Sequence, residues 1–281
     1  MTWFVEPFEL AFQLRALVGG SFAAVALALV GTWVVIRGMS FLGDALVHGV
    51  IPGIALAILF DFNVLLGALG AAAVMLIGIN LVHRQTAFSE DTSIGLLFVG
   101  MLGLGVILVS KTTSYTGNLT SILFGDALGV TDEDIVMLAI LAGVVLVASL
   151  VLYRPFLVLS FNEQKSQLLG LRPRATHAAL LVLISVAIVG SFQTVGTLLV
   201  FGMLVGPPAS AALIVRRVPS IIALAAAIGV ASVYVGLVVS YHANTSASAT
   251  IAVTPIVVFF VALTIRSFSN RLRSSQAGVP A

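Results

Sequence analysis

Nine stretches of nearly unbroken apolar residues alternate with short polar breaks, at 15–36, 42–60, 64–82, 92–109, 134–153, 177–190, 195–214, 219–241 and 250–265. A helix crossing a bilayer needs roughly 20 apolar residues, and most of these stretches are that long. The pattern predicts an all-α, polytopic transmembrane helical bundle of about 8–9 helices, forming a single domain over 1–281. The stretch 177–190 is the shortest, so it is the one expected to be broken or tilted. The first stretch has no basic segment before it and exceeds the apolar core of a signal peptide, which predicts a retained helix.

Two connections are long enough to carry interactions. Residues 110–133 are rich in Ser, Thr and Gly, and within them Leu119–Val130 is apolar but too short to span. It suits a surface or re-entrant helix. Residues 154–176 mix charges with Leu168, Leu169 and Leu171, and Gly170 followed by Pro173 predicts the end of a short helix. Such a helix lying under the membrane suits docking of a soluble partner. A plain connector is the alternative.

Composition identifies the solvent. The chain is 60% hydrophobic and 9% charged, with a mean hydropathy of +1.18, whereas soluble domains carry about 25% charged residues. No length remains for a soluble catalytic domain. Cysteine is absent, which removes disulfides, thiolate ligands and Cys nucleophiles. Any metal must then be held by His, Asp, Glu or main-chain oxygen.

The net charge of +2 says less than the placement of the charges. With the N-terminus outside and nine crossings, the cytoplasmic segments hold Arg37, Arg84, Arg154, Lys165, Arg172, Arg174, Arg216, Arg217, Arg266, Arg271 and Arg273. Only Arg15 and Lys111 of the 13 Lys and Arg fall outside. An excess of Lys and Arg marks the cytoplasmic side. The expected orientation is N-terminus outside and C-terminus inside, with 266–281 a cytoplasmic tail.

Nearly all ionisable groups lie in loops or at helix ends. Asp44 and His48 are the exception, and four residues apart they share one face of a helix. If the chain re-enters near Gly38, ten residues at ~1.5 Å each place His48 about 15 Å deep, near the middle of a ~30 Å hydrocarbon core. A carboxylate there is costly unless it meets a partner or a watered path. Pro52 has no N–H for the carbonyl of His48, so three oxygen or nitrogen donors gather on one segment, as at interrupted helices that bind ions. Asp with neutral His suits zinc, manganese or ferrous iron and is poor for copper(I). Structural hydrogen bonding and proton relay are the competing readings. A second copy facing the first would double the two ligands to four.

Other features carry less. Pro207 and Pro208 release the carbonyls of Met203 and Leu204, which predicts a kink with a possible gating use, and Pro255 reads as structural. The tetrapeptide 43–46 recurs at 125–128, too short to argue duplication. There is no P-loop, H-E-x-x-H or G-x-S-x-G pattern and no nucleic-acid footprint.

The run from Arg37 to Gly53, RGMSFLGDALVHGVIPG, resembles the second-helix signature of the zinc/manganese/iron family of ABC importer permeases. Leu123–Asp126, Val195–Val200 and Pro207–Ala209 resemble it too, and the order agrees over nearly the whole chain. Within the family the chain looks most like the short zinc-type permeases. The resemblance implies a multi-pass permease subunit of the bacterial plasma (inner) membrane, importing zinc or manganese ahead of iron. It implies no enzyme activity and no permanently bound cofactor. The implied partners are a cytoplasmic ABC ATPase subunit, an extracytoplasmic metal-binding protein and a second copy in a homodimer. Asp44 and His48 would be the metal site in the permeation path, and 160–172 the coupling segment, with Asn162, Glu163, Ser166 and Gly170 at its key positions. Phe161-Asn162-Glu163 stands where the family often has Phe-Asp-Pro, and Ser166 where it often has Ala. A proton-coupled secondary metal transporter is the alternative, using the same pair as ligand and relay.

Overall fold

Each polar break carries the chemistry that ends one helix and starts the next. The computed structural model describes residues 2–86, 88–110 and 127–276, and every regular element among them is helical. α1 (Thr2–Val5) and a 3₁₀ turn (Glu6–Glu9) lead into α2 (Ala11–Ile36), α3 (Ser40–Gly49), α4 (Ile51–Leu59), α5 (Val64–Gln85) and α6 (Glu90–Val109). Beyond a turn at 127–130 come α7 (Asp132–Val151), α8 (Tyr153–Phe161), α9 (Glu163–Leu168) and α10 (Pro173–Val195). α11 (Thr197–Ile214), α12 (Val218–Ala243) and α13 (Ala247–Gln276) complete the chain.

Among the described residues nine helical spans are long and apolar enough to cross a membrane, α3 and α4 counting as one. The stretch expected to be broken, 177–190, sits inside α10, a continuous helix of 23 residues. Ser191, Gln193 and Thr194 interrupt the apolar run but not the helix, whose backbone bonds are internal. Most of Leu119–Val130, with Asp126, lies outside the described residues. Its last four positions, 127–130, form a turn rather than a helix.

Helix ends follow from local sequence. Asn63 starts α5 by accepting from the N–H groups of Leu65 and Leu66 at 2.8 and 3.3 Å. Thr131 and Asp134 form a reciprocal capping box at the start of α7. α2 ends in a Schellman motif: the N–H of Met39 reaches the carbonyl of Val34 at 2.9 Å and that of Gly38 reaches Val35 at 3.1 Å. Gly38 sits at φ +69°, where a side chain would be strained. Arg266 of α13 donates to the carbonyl of Leu213 at 3.2 Å, satisfying an orphan acceptor at the end of α11.

Burial separates a centre from a periphery. In α2 and in the α3–α4 span 72% of the apolar window is buried, against 22% in α6, α7 and α13. The outward face of α7 presents Val136, Ile140, Val144, Val147 and Leu150, all exposed and apolar. A surface of that kind requires lipid as its solvent.

The centre closes on one side chain. Leu204 of α11 lies between α2 and α3: a Cβ at Gly31 would be driven into its carbonyl oxygen, and one at Gly43 into its Cδ2. Pro208 removes the N–H that would otherwise bond that carbonyl. α11 stays helical through both prolines, and the freed oxygen turns to the bare backbone of α2. Small residues that admit such backbone approach are how helices pack without a hydrophobic drive between them. Replacing Gly31 by Leu is expected to destabilise the bundle by at least about 1–3 kcal/mol, the usual cost of overpacking. A thermal unfolding midpoint of the detergent-purified protein equal to wild type would contradict this packing.

Candidate metal site

α3 is buried on most of its circumference and open on one narrow stripe. Leu42, Gly43, Ala45, Leu46, Val47 and Gly49 are buried, while Phe41, Asp44 and His48 are not. The spacing i, i+3, i+7 of those three is one helical face. On the opposite face Gly43 is held against Leu204, so the packing that buries one side aims the carboxylate and imidazole out of the other.

The Asp44 and His48 side chains are 34% and 29% exposed, and Oδ1 of Asp44 lies 3.6 Å from Nε2 of His48. That is too long for a hydrogen bond, and neither side chain makes one to any described residue. Two ligands ~2.1 Å from a shared ion stand about 3.0–3.5 Å apart, so a slight closure would bring both oxygen and nitrogen to one ion. Phe98 of α6 flanks the pair, its ring centroid 6.1 Å from that of His48 and 5.8 Å from that of Phe41.

Just beyond His48 the helix is interrupted at Val50, and α4 begins with Pro52 in its first turn. Pro52 returns no N–H to the carbonyl of His48, as its position in the sequence predicts. Among the described residues no group of three or more His, Cys, Asp and Glu gathers. The described residues of one chain thus bring two candidate ligands together and no third.

The remaining expected residues lie elsewhere. Pro207 and Pro208 are buried where α11 meets its neighbours, and Ser210 one turn on donates to the carbonyls of Gly206 and Pro255 at 2.8 and 3.3 Å. Both are buried within the bundle. At the other expected site, Asn162 caps α9, its Oδ1 accepting from the Lys165 N–H at 2.9 Å. Gly170 closes α9 at φ +71° with the Leu171 N–H on the Ser166 carbonyl at 3.0 Å, the helix stop its sequence predicts. Ser166 is fully buried, its hydroxyl without a partner. Phe161, Leu168 and Leu169 stand exposed around α9, Leu168 at 87%. The sequence reading missed Phe41 and Phe98; the spacing of Phe41 from Asp44 was the available signal, whereas Phe98 joins only through the fold.

Nine apolar spans among the described residues, with an ionisable pair inside one of them, define a multi-pass membrane protein. The chain belongs to the ABC 3 transport family, which it matches over residues 9–266. It is 34% identical over 254 residues to the manganese transport system membrane protein MntC of Listeria innocua, covering 90% of each chain. It is 30% identical over 261 residues to a probable iron transport system membrane protein of Haemophilus influenzae, covering 93% of this chain and 96% of that one. Among solved structures, PsaBC from Streptococcus pneumoniae in complex with Fab superposes with a TM-score of 0.82 at 29% identity, over 92% of this chain and 94% of that one. The protein is a permease subunit of the bacterial inner membrane, its ATPase a separate chain.

Proposed function

We propose that the protein imports manganese, with zinc and ferrous iron as competing cargoes, through a path on which Asp44 and His48 are transient ligands. The observation that carries this reading is the unbonded pair: a carboxylate and an imidazole converge at 3.6 Å on a half-open stripe. The relatives named above carry manganese and iron in their names; carboxylate and imidazole accept either ion, and zinc as well. Two ligands per chain favour exchange over retention, which transport requires.

The stripe also argues for a homodimer. A carboxylate facing hydrocarbon costs several kcal/mol, and in a lone chain this stripe faces outward. A second copy laid against it removes that cost and completes a set of four ligands. The eleven-to-two placement of Lys and Arg supports an N-terminus outside and a C-terminus in the cytoplasm. On that orientation α8 and α9 lie on the cytoplasmic side, and the exposed Phe161, Leu168 and Leu169 offer an apolar surface for an ABC ATPase. An extracytoplasmic binding protein would deliver the ion at the opposite end.

Reconstituted with its ATPase, the protein should take up manganese with ATP and stop on addition of vanadate. Asp44→Ala and His48→Ala should each lower that uptake at least about tenfold, the loss of one ligand of a shared ion. Unchanged uptake in both variants would remove the site assignment, and vanadate-insensitive uptake would favour the proton-coupled alternative. Because the chain has no cysteine, Phe41→Cys gives a single thiol on the stripe, and mild oxidation should yield a covalent dimer; monomer alone speaks against the facing copies. Leu168→Asp should abolish co-purification of the ATPase while leaving the permease folded, and retained association would displace the docking surface from α9.

A further inference from the structure

We propose that Trp33 is a positioning residue: its ring contact with Tyr153 and Phe156 is the joint through which movement of the α8–α9 arm reaches Asp44 and His48. The inference rests on the reading that α9 docks the ATPase and that the pair binds the ion.

The arm is stiff. Only Asn162 separates α8 from α9, its backbone N–H bonding the carbonyl of Val158 at 2.9 Å while its side chain caps α9. Load on the exposed Leu168 and Leu169 therefore reaches α8 with little slack. Phe156 is the fully buried residue of α8, and its ring meets that of Trp33 edge-on at 5.7 Å and 66°. Tyr153, one turn earlier, meets the same indole at 5.7 Å and 62°. The α8 side of the joint is thus two rings on one face, gripping one indole from α2.

The far side of the joint is equally short. Trp33 begins the last turn of α2, and its carbonyl receives the N–H of Arg37 at 3.0 Å. The Schellman bonds of Gly38 and Met39 to Val35 and Val34 fix the rest of the link, and Met39 accepts from the Leu42 N–H at 3.0 Å, starting α3. Every residue between α2 and α3 is bonded back to a helix. Asp44 follows in the second turn of α3 and His48 in the third. Displacement of Trp33 has no loop in which to dissipate before it reaches them.

The indole carries one further sign of a two-position element. Trp33 is fully buried, and its Nε1–H has no acceptor. Buried donors are nearly always paired, so an indole N–H left unpaired here leaves a hydrogen bond to be gained by a shift of the surrounding helices. Coupling between distant sites requires an element with two arrangements that both sites bias.

Trp3 and Trp33 are the two tryptophans, so a Trp3→Phe background paired with an ATPase whose tryptophans are replaced by Phe leaves Trp33 as the sole indole reporter. In the permease–ATPase complex reconstituted in nanodiscs, its emission should shift between the nucleotide-free and the ATP–vanadate trapped states. In proteoliposomes, Trp33→Leu should leave ATP hydrolysis in place and lower manganese taken up per ATP about tenfold, within the range coupling between sites commonly spans. Trp33→Phe, which keeps the ring edges, should restore the ratio. Tyr153→Leu, at a half-buried ring on the α8 side, should reproduce the loss if Trp33→Leu fails to assemble. An emission unchanged by trapping, or a wild-type ratio in Trp33→Leu or Tyr153→Leu, would overturn the proposal. Failure of the underlying reading looks different: wild type would then recruit no ATPase, or Asp44→Ala would transport normally.

Discussion

The approach of α11 to α2 and α3 at Leu204 is the contact on which the site depends. Three helices meet there with almost no side-chain material between two of their backbones, because Gly31 and Gly43 leave the room. Pro208 contributes by subtraction, freeing a carbonyl that the backbone of α2 covers. In hydrocarbon, where apolar surface gains nothing by hiding from lipid, close packing and buried polar contacts have to hold helices together. Fixing Gly43 against Leu204 also fixes the rotation of α3, and with it the direction in which Asp44 points.

Two ionisable side chains in a membrane are tolerated only under constraint, and here the constraint takes the form of a surface left unfinished. α3 buries everything except one stripe, and that stripe is where the chain stops being self-sufficient. The same incompleteness appears at the other end of the bundle, where Leu168 and Leu169 stand exposed on a short capped helix. On the proposed reading both unfinished surfaces are covered by protein, one by a second copy and one by the ATPase. The coupling proposed above would link them through α8 and the end of α2.

Much of this was legible in the residues themselves, for identifiable reasons. Span number followed from apolar run length, and the pair Asp44 and His48 stood out because almost nothing else ionisable lies within a run. Gly170 and Pro52 announced their breaks, since positive φ and a missing N–H are local properties. What stayed hidden was everything that depends on neighbours distant in sequence. Nothing about Gly31 in a run of small and apolar residues says that Leu204 will press against it, and Trp33 reads as one more apolar side chain until Tyr153 and Phe156 arrive. The stretch 177–190 is short only as an apolar run; the helix around it runs on through polar residues at both ends, because a helix satisfies its own backbone whatever its side chains. The prolines of α11 lie inside a continuous helix, and the carbonyl of Leu204 that Pro208 leaves without an N–H packs against Gly31 of α2.

The 3.6 Å gap between Asp44 and His48 carries a kinetic meaning beyond its geometry. A carboxylate hydrogen-bonded to an imidazole would have to give up that bond before receiving an ion, adding a barrier to every capture and a competitor to every release. On the proposed reading the pair is held just apart, so an arriving ion would meet ligands with no bond to each other to break. Turnover at such a site is governed by how quickly the path opens and closes around it, so the pace of transport passes from the ligands to the machinery that moves them.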